Sequence, residues 1–325
     1  MNTLQPPTAA ASAGPPDSGT PTSPTAPPQV AAPGLRNRDF HLVRATPANW
    51  SQVQGWAATE GWNPGHGDTS ILMRTDPDAF STGFVGERQA SAIGVVNWDD
   101  RLAFAGMLLV DPALRGIGLG MDTFAAAIGH AANRTLAVDA PTRMQDRLQE
   151  IGFAAAWRII HFAGPIPAAR ASTDPHVIAA TEQHHAQMAA LDAACFPADR
   201  PRFVTDFATA RERHTLVYAN AVGRIYGYGV LRPGRKALRI GPLYAQEHYH
   251  AAAIFDGLCD LARQADAVTI TFDAPEPNYA ACAVAQTRGL NYDSDSLRMY
   301  RPGLSGPVRK IDLTRLYGLT AVGLA

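Results

Sequence analysis

Cysteine is scarce in this 325-residue chain, which has only Cys195, Cys259 and Cys282. The three lie far apart, are odd in number and form no C-x-x-C pair, so neither a disulfide framework nor a zinc knuckle is expected. Reduced thiols in the cytosol are the simplest interpretation. We therefore predict a soluble, cytoplasmic protein that needs no metal.

Long apolar runs and a large net charge are also missing. No hydrophobic stretch approaches the length that spans a bilayer, and the formal net charge is only −1. Neither a membrane nor a nucleic acid is therefore expected as a partner. The chain is long enough for about two globular domains, and its oligomeric state stays open.

The first 34 residues lack aromatic side chains and carry a single charge, Asp17. They consist mostly of Pro, Ala, Thr and Ser, which cannot bury a core. We predict a disordered tail over residues 1–35. A basic start and an apolar centre are both absent, so the tail is not expected to be a secretory signal.

The most informative stretch runs from Leu108 to Gly120. The apolar residues 103–110 predict a strand that ends at Asp111-Pro112, and the Ala-rich residues 121–132 predict a helix. Three alternating glycines lie between them. Small residues there let several N–H groups approach an anion at the positive end of a helix dipole. The expected ligand is a phosphate or pyrophosphate.

Two other phosphate loops fit this stretch poorly. The dinucleotide pattern G-x-G-x-x-G would need a third glycine at Met121 or Thr123, and five residues separate the strand from the first glycine. A Walker loop would need a Lys followed by Ser or Thr. A glycine-rich turn that only tightens a strand–helix corner remains an alternative.

The pattern that fits is Arg-x-x-Gly-x-Gly, formed by Arg115, Gly118 and Gly120 after a strand that ends in Val-x-Pro. It resembles the acyl-CoA loop of the GNAT family of N-acetyltransferases. The order of the predicted elements is typical of that family as well. We expect strands at 40–44, 80–85, 90–98, 103–110, 135–138 and 153–162, and helices at 47–60, 121–132 and 142–150.

A second copy of this architecture follows. Val138-Asp139-Ala140-Pro141 is echoed by Phe272-Asp273-Ala274-Pro275, and each is followed by a predicted helix and a glycine. From about Phe40 onward the chain resembles tandem GNAT proteins with a degenerate C-terminal repeat. The shared motifs include residues 60–65, 227–233, 240–243, 273–278, 298–300 and 317–320.

The resemblance implies an α/β (α+β) fold of two tandem GNAT-like domains, each a mixed, largely antiparallel sheet flanked by helices. Residues 36–170 would form the N-terminal acetyl-CoA-binding domain and residues 171–325 the degenerate C-terminal domain. We call residues 115–120 the glycine loop. In the second repeat, residues 241–246 stand at the corresponding position and lack this motif. One CoA site, in the first repeat, is therefore expected.

The resemblance also implies transfer of an acetyl group from acetyl-CoA to a small amine, by direct attack in a ternary complex. Backbone N–H groups at the strand end would hold the thioester oxygen, and the loop would hold the pyrophosphate. The expected cosubstrate contacts are Leu108, Leu109, Val110, Arg115, Gly116, Ile117, Gly118, Leu119 and Gly120.

An ammonium must lose its proton before it attacks, so a base is required. Glu60 is the first candidate and Asp68 the second, although Glu60 could equally be a solvated carboxylate at a helix end. Trp62 and Asn63 are expected to line the acceptor pocket, and Trp62 could instead be a core aromatic.

A tyrosine that protonates the leaving thiolate is common in the family, but Leu148 stands at that position here. Tyr228 from the second repeat is the replacement that we consider. We predict an acetyl-CoA-dependent N-acetyltransferase. The alternative is a non-catalytic acyl-CoA-binding or regulatory module.

Overall fold

The computed structural model describes residues 39–169 and 174–320. The predicted tail over residues 1–35 and the predicted domain boundary between residues 170 and 171 lie outside these ranges. Both stay predictions.

The N-terminal half begins as the sequence predicts. Thr46 caps the first helix by accepting a hydrogen bond from the Asn49 N–H, Asn49 Oδ1 accepts one from the Thr46 N–H, and Pro47 occupies the first helical position. The elements of this half are β1 (Phe40–Arg44), α1 (Pro47–Thr59), α2 (Asp68–Thr75), β2 (Phe80–Val85), β3 (Arg88–Asn97), β4 (Leu102–Val110), α3 (Leu119–Ala127), β5 (Thr135–Ala140), α4 (Gln145–Glu150) and β6 (Ala154–Pro165).

The C-terminal half repeats this pattern of strands and helices. Its elements are β7 (Val177–Ala179), α5 (His185–Cys195), α6 (Pro201–Ala208), β8 (His214–Ala219), β9 (Ile225–Arg232), β10 (Leu238–Ala245), α7 (His248–Gln264), β11 (Thr269–Pro275), α8 (Tyr279–Gln286), β12 (Asn291–Arg301) and β13 (Leu316–Gly318).

Three local predictions need correction. Helix α2 takes up residues that follow the irregular loop and were not expected to be helical. The turn before β3 is shorter than predicted, since pairing with β2 begins at Arg88 opposite Val85. The helix after the glycine loop ends as an α-helix at Ala127 and continues as a 3-10 turn over Ile128–Ala131.

The two halves share one mixed sheet in which their sixth strands are exchanged. The strand order is β1-β2-β3-β4-β5-β12-β6-β11-β10-β9-β8-β7, with β13 paired to β10. Strand β12 of the C-terminal half lies between β5 and β6, and β6 in turn pairs with β11. The pairs β4–β5 and β10–β11 are parallel, and every other described pair is antiparallel. The predicted α/β fold is confirmed.

Helices cover both faces of the sheet, which explains the near-continuous hydrophobic runs in its inner strands. Helices α1, α2, α5 and α6 pack on one face and form a single core that includes residues of both halves. On the other face, α3 and α4 cover the N-terminal half, and α7 and α8 cover the C-terminal half.

Candidate active site

A gap opens in the sheet where β4 leaves β5. The two strands pair from Leu102, opposite Thr135, to Ala105, opposite Val138. Beyond that point, among the described strands, β4 pairs only with β3. Met107 has a φ of 52°, and the register with β3 shifts at the same place, so β4 carries a bulge. The predicted thioester-binding residues 108–110 follow this bulge and lie along the gap.

The glycine loop starts directly at the end of this strand. Asp111 caps a 3-10 turn, Pro112–Leu114, by accepting a hydrogen bond of 2.9 Å from the Ala113 N–H. Gly116 and Gly118 then have φ angles of 82° and 91°. Both angles lie in the left-handed region, which residues with a Cβ rarely adopt, so this turn favours glycine.

The space in front of the loop is open. A Cβ built on Gly116 or Gly118 would meet no other group within 4 Å, and residues 115–118 are exposed. Gly118 is the N-cap residue of α3, so the first N–H groups of that helix lie beside the loop. This local geometry suits a phosphate at the helix N-terminus.

Arg115 and Glu60, two residues that the sequence analysis selected separately, form an ion pair. Arg115 Nη2 donates to Glu60 Oε1 at 2.6 Å, and the Arg115 side chain also donates to the Val110 carbonyl. Their side chains are 43% and 32% exposed, respectively. Glu60 follows α1 as its C-cap residue. The structure therefore brings the candidate base to the end of β4, where the gap meets the glycine loop.

The loop after Glu60 contacts the C-terminal half. Asn63 Oδ1 accepts from the Lys236 N–H at 2.7 Å, and Asn63 Nδ2 donates to the Ala237 carbonyl at 3.0 Å. The His66 N–H donates to the Pro233 carbonyl at 2.8 Å. Both ends of the Asn63 amide are thus engaged with the β9–β10 turn. That engagement fixes Asn63 against the C-terminal half, and its place in the acceptor pocket stays a prediction.

Trp62 differs from its neighbour in this loop. The residue is 39% exposed, and its backbone N–H donates to the Ala57 carbonyl near the end of α1. The ring is therefore not part of the buried core, and an acceptor molecule could contact it.

Asp68 lies elsewhere, in a buried cluster of charges. It accepts from Arg213 Nη2 at 2.7 Å and from Arg232 Nε at 3.2 Å, and it is 7% exposed. Burial lowers the pKa of Arg232 to about 10, although the Asp68 carboxylate opposes that shift. A carboxylate held between two buried guanidinium groups is unsuited to removing a proton from a bound amine. The structure therefore leaves Glu60 as the candidate base.

The predicted general acid, Tyr228, is also buried. It is 1% exposed and packs edge-on against Tyr244, with a centroid distance of 5.4 Å. Burial, reinforced by the Asp192 carboxylate, raises the pKa of Tyr228 well above its ordinary value. Its hydroxyl lies inside the C-terminal half, so the prediction that it protonates the thiolate is not supported. Leu148, on α4, is buried in an apolar cluster.

Two features of this region escaped the sequence analysis. The bulge at Met107 has no sequence signal, because methionine at positive φ is unusual. The second feature is an ion pair between Asp139 on β5 and Arg298 on β12. Arg298 Nη2 donates to Asp139 Oδ2 at 3.0 Å, and this contact depends on the exchange of strands. The motifs that contain these two residues were noted in the sequence, but their contact was not.

Within the described ranges, no three His, Cys, Asp or Glu side chains are grouped as metal ligands would be. Among the described helices, none combines the length and apolar character required to cross a bilayer.

Comparisons with known proteins agree with this fold. A family model described as an acetyltransferase (GNAT) domain matches residues 188–318. A holothin acyltransferase of Pseudoalteromonas sp. (strain SANK 73390) is 26% identical over 252 residues, which cover 78% of this chain and 84% of the relative.

Two solved structures resemble the whole described fold. A candidate acetyltransferase from Pyrococcus horikoshii superposes with a TM-score of 0.71 at 17% identity, covering 89% of this chain and 96% of that one. A tandem GNAT protein from the clavulanic acid biosynthesis pathway gives a TM-score of 0.59 at 18% identity, covering 82% and 98%. The chain thus has the fold of tandem GNAT structures, and its residues 188–318 match the acetyltransferase (GNAT) domain.

Proposed function

We propose that the protein is an acetyl-CoA-dependent N-acetyltransferase that acts on a small amine by direct attack in a ternary complex. The observation that carries this proposal is the junction of the β4 bulge, the gap beside β5 and the glycine loop. The thioester would bind in the gap beside β4, and the pyrophosphate would bind at the adjoining glycine loop. Backbone N–H groups would form most of both sites.

The gap would hold and polarise the thioester. Beyond Ala105, the edge of β4 that faces β5 is released from the parallel ladder. The Asp111 N–H donates to the Ala90 carbonyl of β3, so the preceding N–H, that of Val110, faces the gap. It would donate to the thioester oxygen, on which negative charge develops as the amine attacks. Contacts between the CoA pyrophosphate and residues 115–120 would fix the acetyl group in place.

Glu60 would accept the proton of the amine, directly or through a water molecule. In the structure its carboxylate shares an ion pair with Arg115. A pyrophosphate that binds Arg115 would compete for the same guanidinium and free the carboxylate. This arrangement favours binding of acetyl-CoA before the amine.

No side chain is assigned to protonate the thiolate, since Leu148 and Tyr228 are both buried. A thiolate has a much lower proton affinity than an alkoxide or an amide ion, so it can leave without a general acid.

One relative supports the general reaction, and Glu60 supports an amine as the acceptor. The relative from Pseudoalteromonas is named for acyl transfer to holothin. We extend from that name only the general reaction, acyl transfer to a small molecule, and select an amine because Glu60 supplies a base beside the gap.

The test is release of free CoA thiol in a panel of amines combined with acetyl-CoA and longer acyl-CoA thioesters. We expect turnover that depends on both an amine and acetyl-CoA, with initial-rate plots that intersect as in a ternary complex. Parallel lines would indicate a covalent acyl-enzyme and contradict direct attack. Acyl-CoA binding without turnover of any amine would favour the non-catalytic module.

A further inference from the structure

The C-terminal half contains a second gap, and the chain fills it itself. Strands β10 and β11 pair in parallel only from Leu238, opposite Ile270, to Ile240, opposite Phe272. They then separate, as β4 and β5 do in the N-terminal half. The space between them is taken by residues 316–320, which we call the closing segment.

Both walls of the second gap hydrogen-bond to this part of the chain. Leu243 pairs with Gly318, and Tyr244 pairs with Leu316, in an antiparallel ladder. On the opposite side the Leu319 N–H donates to the Asp273 carbonyl of β11 at 2.9 Å. A Cβ built on Gly241 would overlap the Leu319 carbonyl oxygen, so the fit to β10 is close.

Thr320, at the end of the closing segment, is held by buried polar side chains. Its hydroxyl accepts from Arg200 Nη2 at 2.9 Å and lies 2.9 Å from the Tyr244 hydroxyl. Its carbonyl accepts from Arg232 Nη2 at 2.6 Å. Arg200 and Arg232 are both buried.

Arg232 continues this network into the N-terminal half. Its Nε donates to Asp68, the first residue of α2. A Cβ built on Gly65 would come within 2.5 Å of both the Arg232 and the Asp68 side chains, so the loop of residues 61–67 lies directly against this ion pair. The same loop joins Glu60 to α2 and carries the exposed Trp62.

We propose that the closing segment occupies, in the C-terminal half, the place that acyl-CoA takes in the N-terminal half, and that it thereby positions the acceptor loop, residues 61–67. Arg232 and Asp68 are the positioning residues that connect the two. The C-terminal half then serves as a fixed support for the acceptor side of the site. The role of this loop in binding the acceptor rests on the function proposed above, whereas the coupling between the closing segment and the loop does not.

The first test compares two truncations of the full chain by hydrogen exchange. One variant lacks residues 316–325, and its control lacks only residues 321–325, beyond the described segment. We expect amide exchange in residues 61–68 to become at least tenfold faster in the first variant and to stay unchanged in the control. Adding a synthetic peptide of residues 316–325 should restore the slow exchange. This readout needs no turnover, so it remains decisive if the proposed reaction is wrong.

A milder pair of variants answers the same question if the longer truncation does not fold. Thr320→Val removes the hydroxyl contacts with Arg200 and Tyr244 that hold the end of the closing segment, and so loosens the Thr320 carbonyl that Arg232 binds. Thr314→Val removes an exposed hydroxyl that donates to Asp312. We expect Thr320→Val alone to speed exchange in residues 61–68 and to raise KM for the amine several-fold, with the Kd for acyl-CoA unchanged. Unchanged exchange in a folded Thr320→Val protein, or an equal effect of Thr314→Val, would overturn the proposal.

Discussion

Asp139 and Arg298 lie directly opposite each other on β5 and β12, and Asp273 and His161 repeat this relationship on β11 and β6. His161 follows Gly152 by nine positions, as Arg298 follows Gly289. In each pair the acid comes from one half and its partner from the exchanged strand of the other half. The exchange therefore joins the halves by equivalent ion pairs as well as by backbone ladders.

These two ion pairs should respond differently to pH. Burial alone would lower the pKa of His161, but the Asp273 carboxylate, which accepts from His161 Nδ1 at 2.7 Å, raises it above its ordinary value. Burial would likewise lower the pKa of Arg298, and Asp139 raises it. Only the histidine can lose its proton near neutral pH, whereas Asp273 stays ionised because Arg239 and His161 lower its pKa despite burial.

We predict that His161→Gln destabilises the protein most at low pH. A raised folded pKa contributes stability that is complete below the unfolded pKa of about 6.5 and is lost as pH rises through the folded value. The cost of His161→Gln should therefore decrease over that window, while the cost of Arg298→Gln stays constant. Urea unfolding of both variants from pH 5.5 to 8.5 measures this. Parallel pH profiles would show that the Asp273–His161 pair is not charged in the folded state.

Asp68 should be a stability residue. Asp68→Asn leaves the buried Arg213 and Arg232 without their shared counter-charge, and loss of one partner of a buried ion pair costs about 3–5 kcal/mol. Asp78→Asn is the matched control, because the Arg44–Asp78 pair is mostly exposed and should contribute no more than about 1 kcal/mol. Denaturant unfolding compares the two. Equal, small losses would mean that other groups compensate the two arginines.

Glu60 should be required for turnover and not for cosubstrate binding. Glu60→Gln keeps an oxygen that can accept from Arg115 but removes the base, so kcat/KM should decrease by about 10²–10⁴-fold. The acidic limb of the pH–rate profile should disappear as well. Glu150→Gln, at the exposed end of α4, controls for loss of a carboxylate at a helix terminus. If Glu60→Gln keeps the wild-type profile, another group removes the proton.

Local signals in the sequence predicted much of the N-terminal half. The capping of α1 at Thr46 and the strand–glycine–helix pattern around Arg115 depend on neighbours within a few residues, and they appear where expected. The acid Glu60 and the arginine Arg115 were chosen on separate grounds, and their contact was not foreseen. Residues 55 positions apart meet only when α1 packs against β4.

The features that were missed depend on contacts between the halves. The residues near Asn291 do not indicate that β12 pairs with strands of the N-terminal half. An alternating apolar–polar pattern predicts a strand but does not specify which strands it pairs with. Asp68 and Tyr228 were predicted as catalytic residues because the sequence alone does not show that their side chains are buried. Leu316–Gly318 is too short to be predicted as a strand from the sequence, and its position depends on a gap formed by β10 and β11.

The glycine loop gives the sharpest test of the cosubstrate site. A valine side chain at Gly118 would project into the open space where we place the pyrophosphate, so Gly118→Val should abolish acyl-CoA binding. The positive φ adds a backbone cost of about 1–2 kcal/mol.

Gly86→Val is the matched control, because Gly86 is exposed, has positive φ and also has open space around it. Gly241 is unsuitable, since its Cβ would overlap Leu319. Calorimetric titration with acetyl-CoA and thermal melting should show similar stability losses in both variants, with loss of binding only in Gly118→Val. If that variant binds acetyl-CoA normally, the cosubstrate lies elsewhere, and the proposed reaction loses its structural basis.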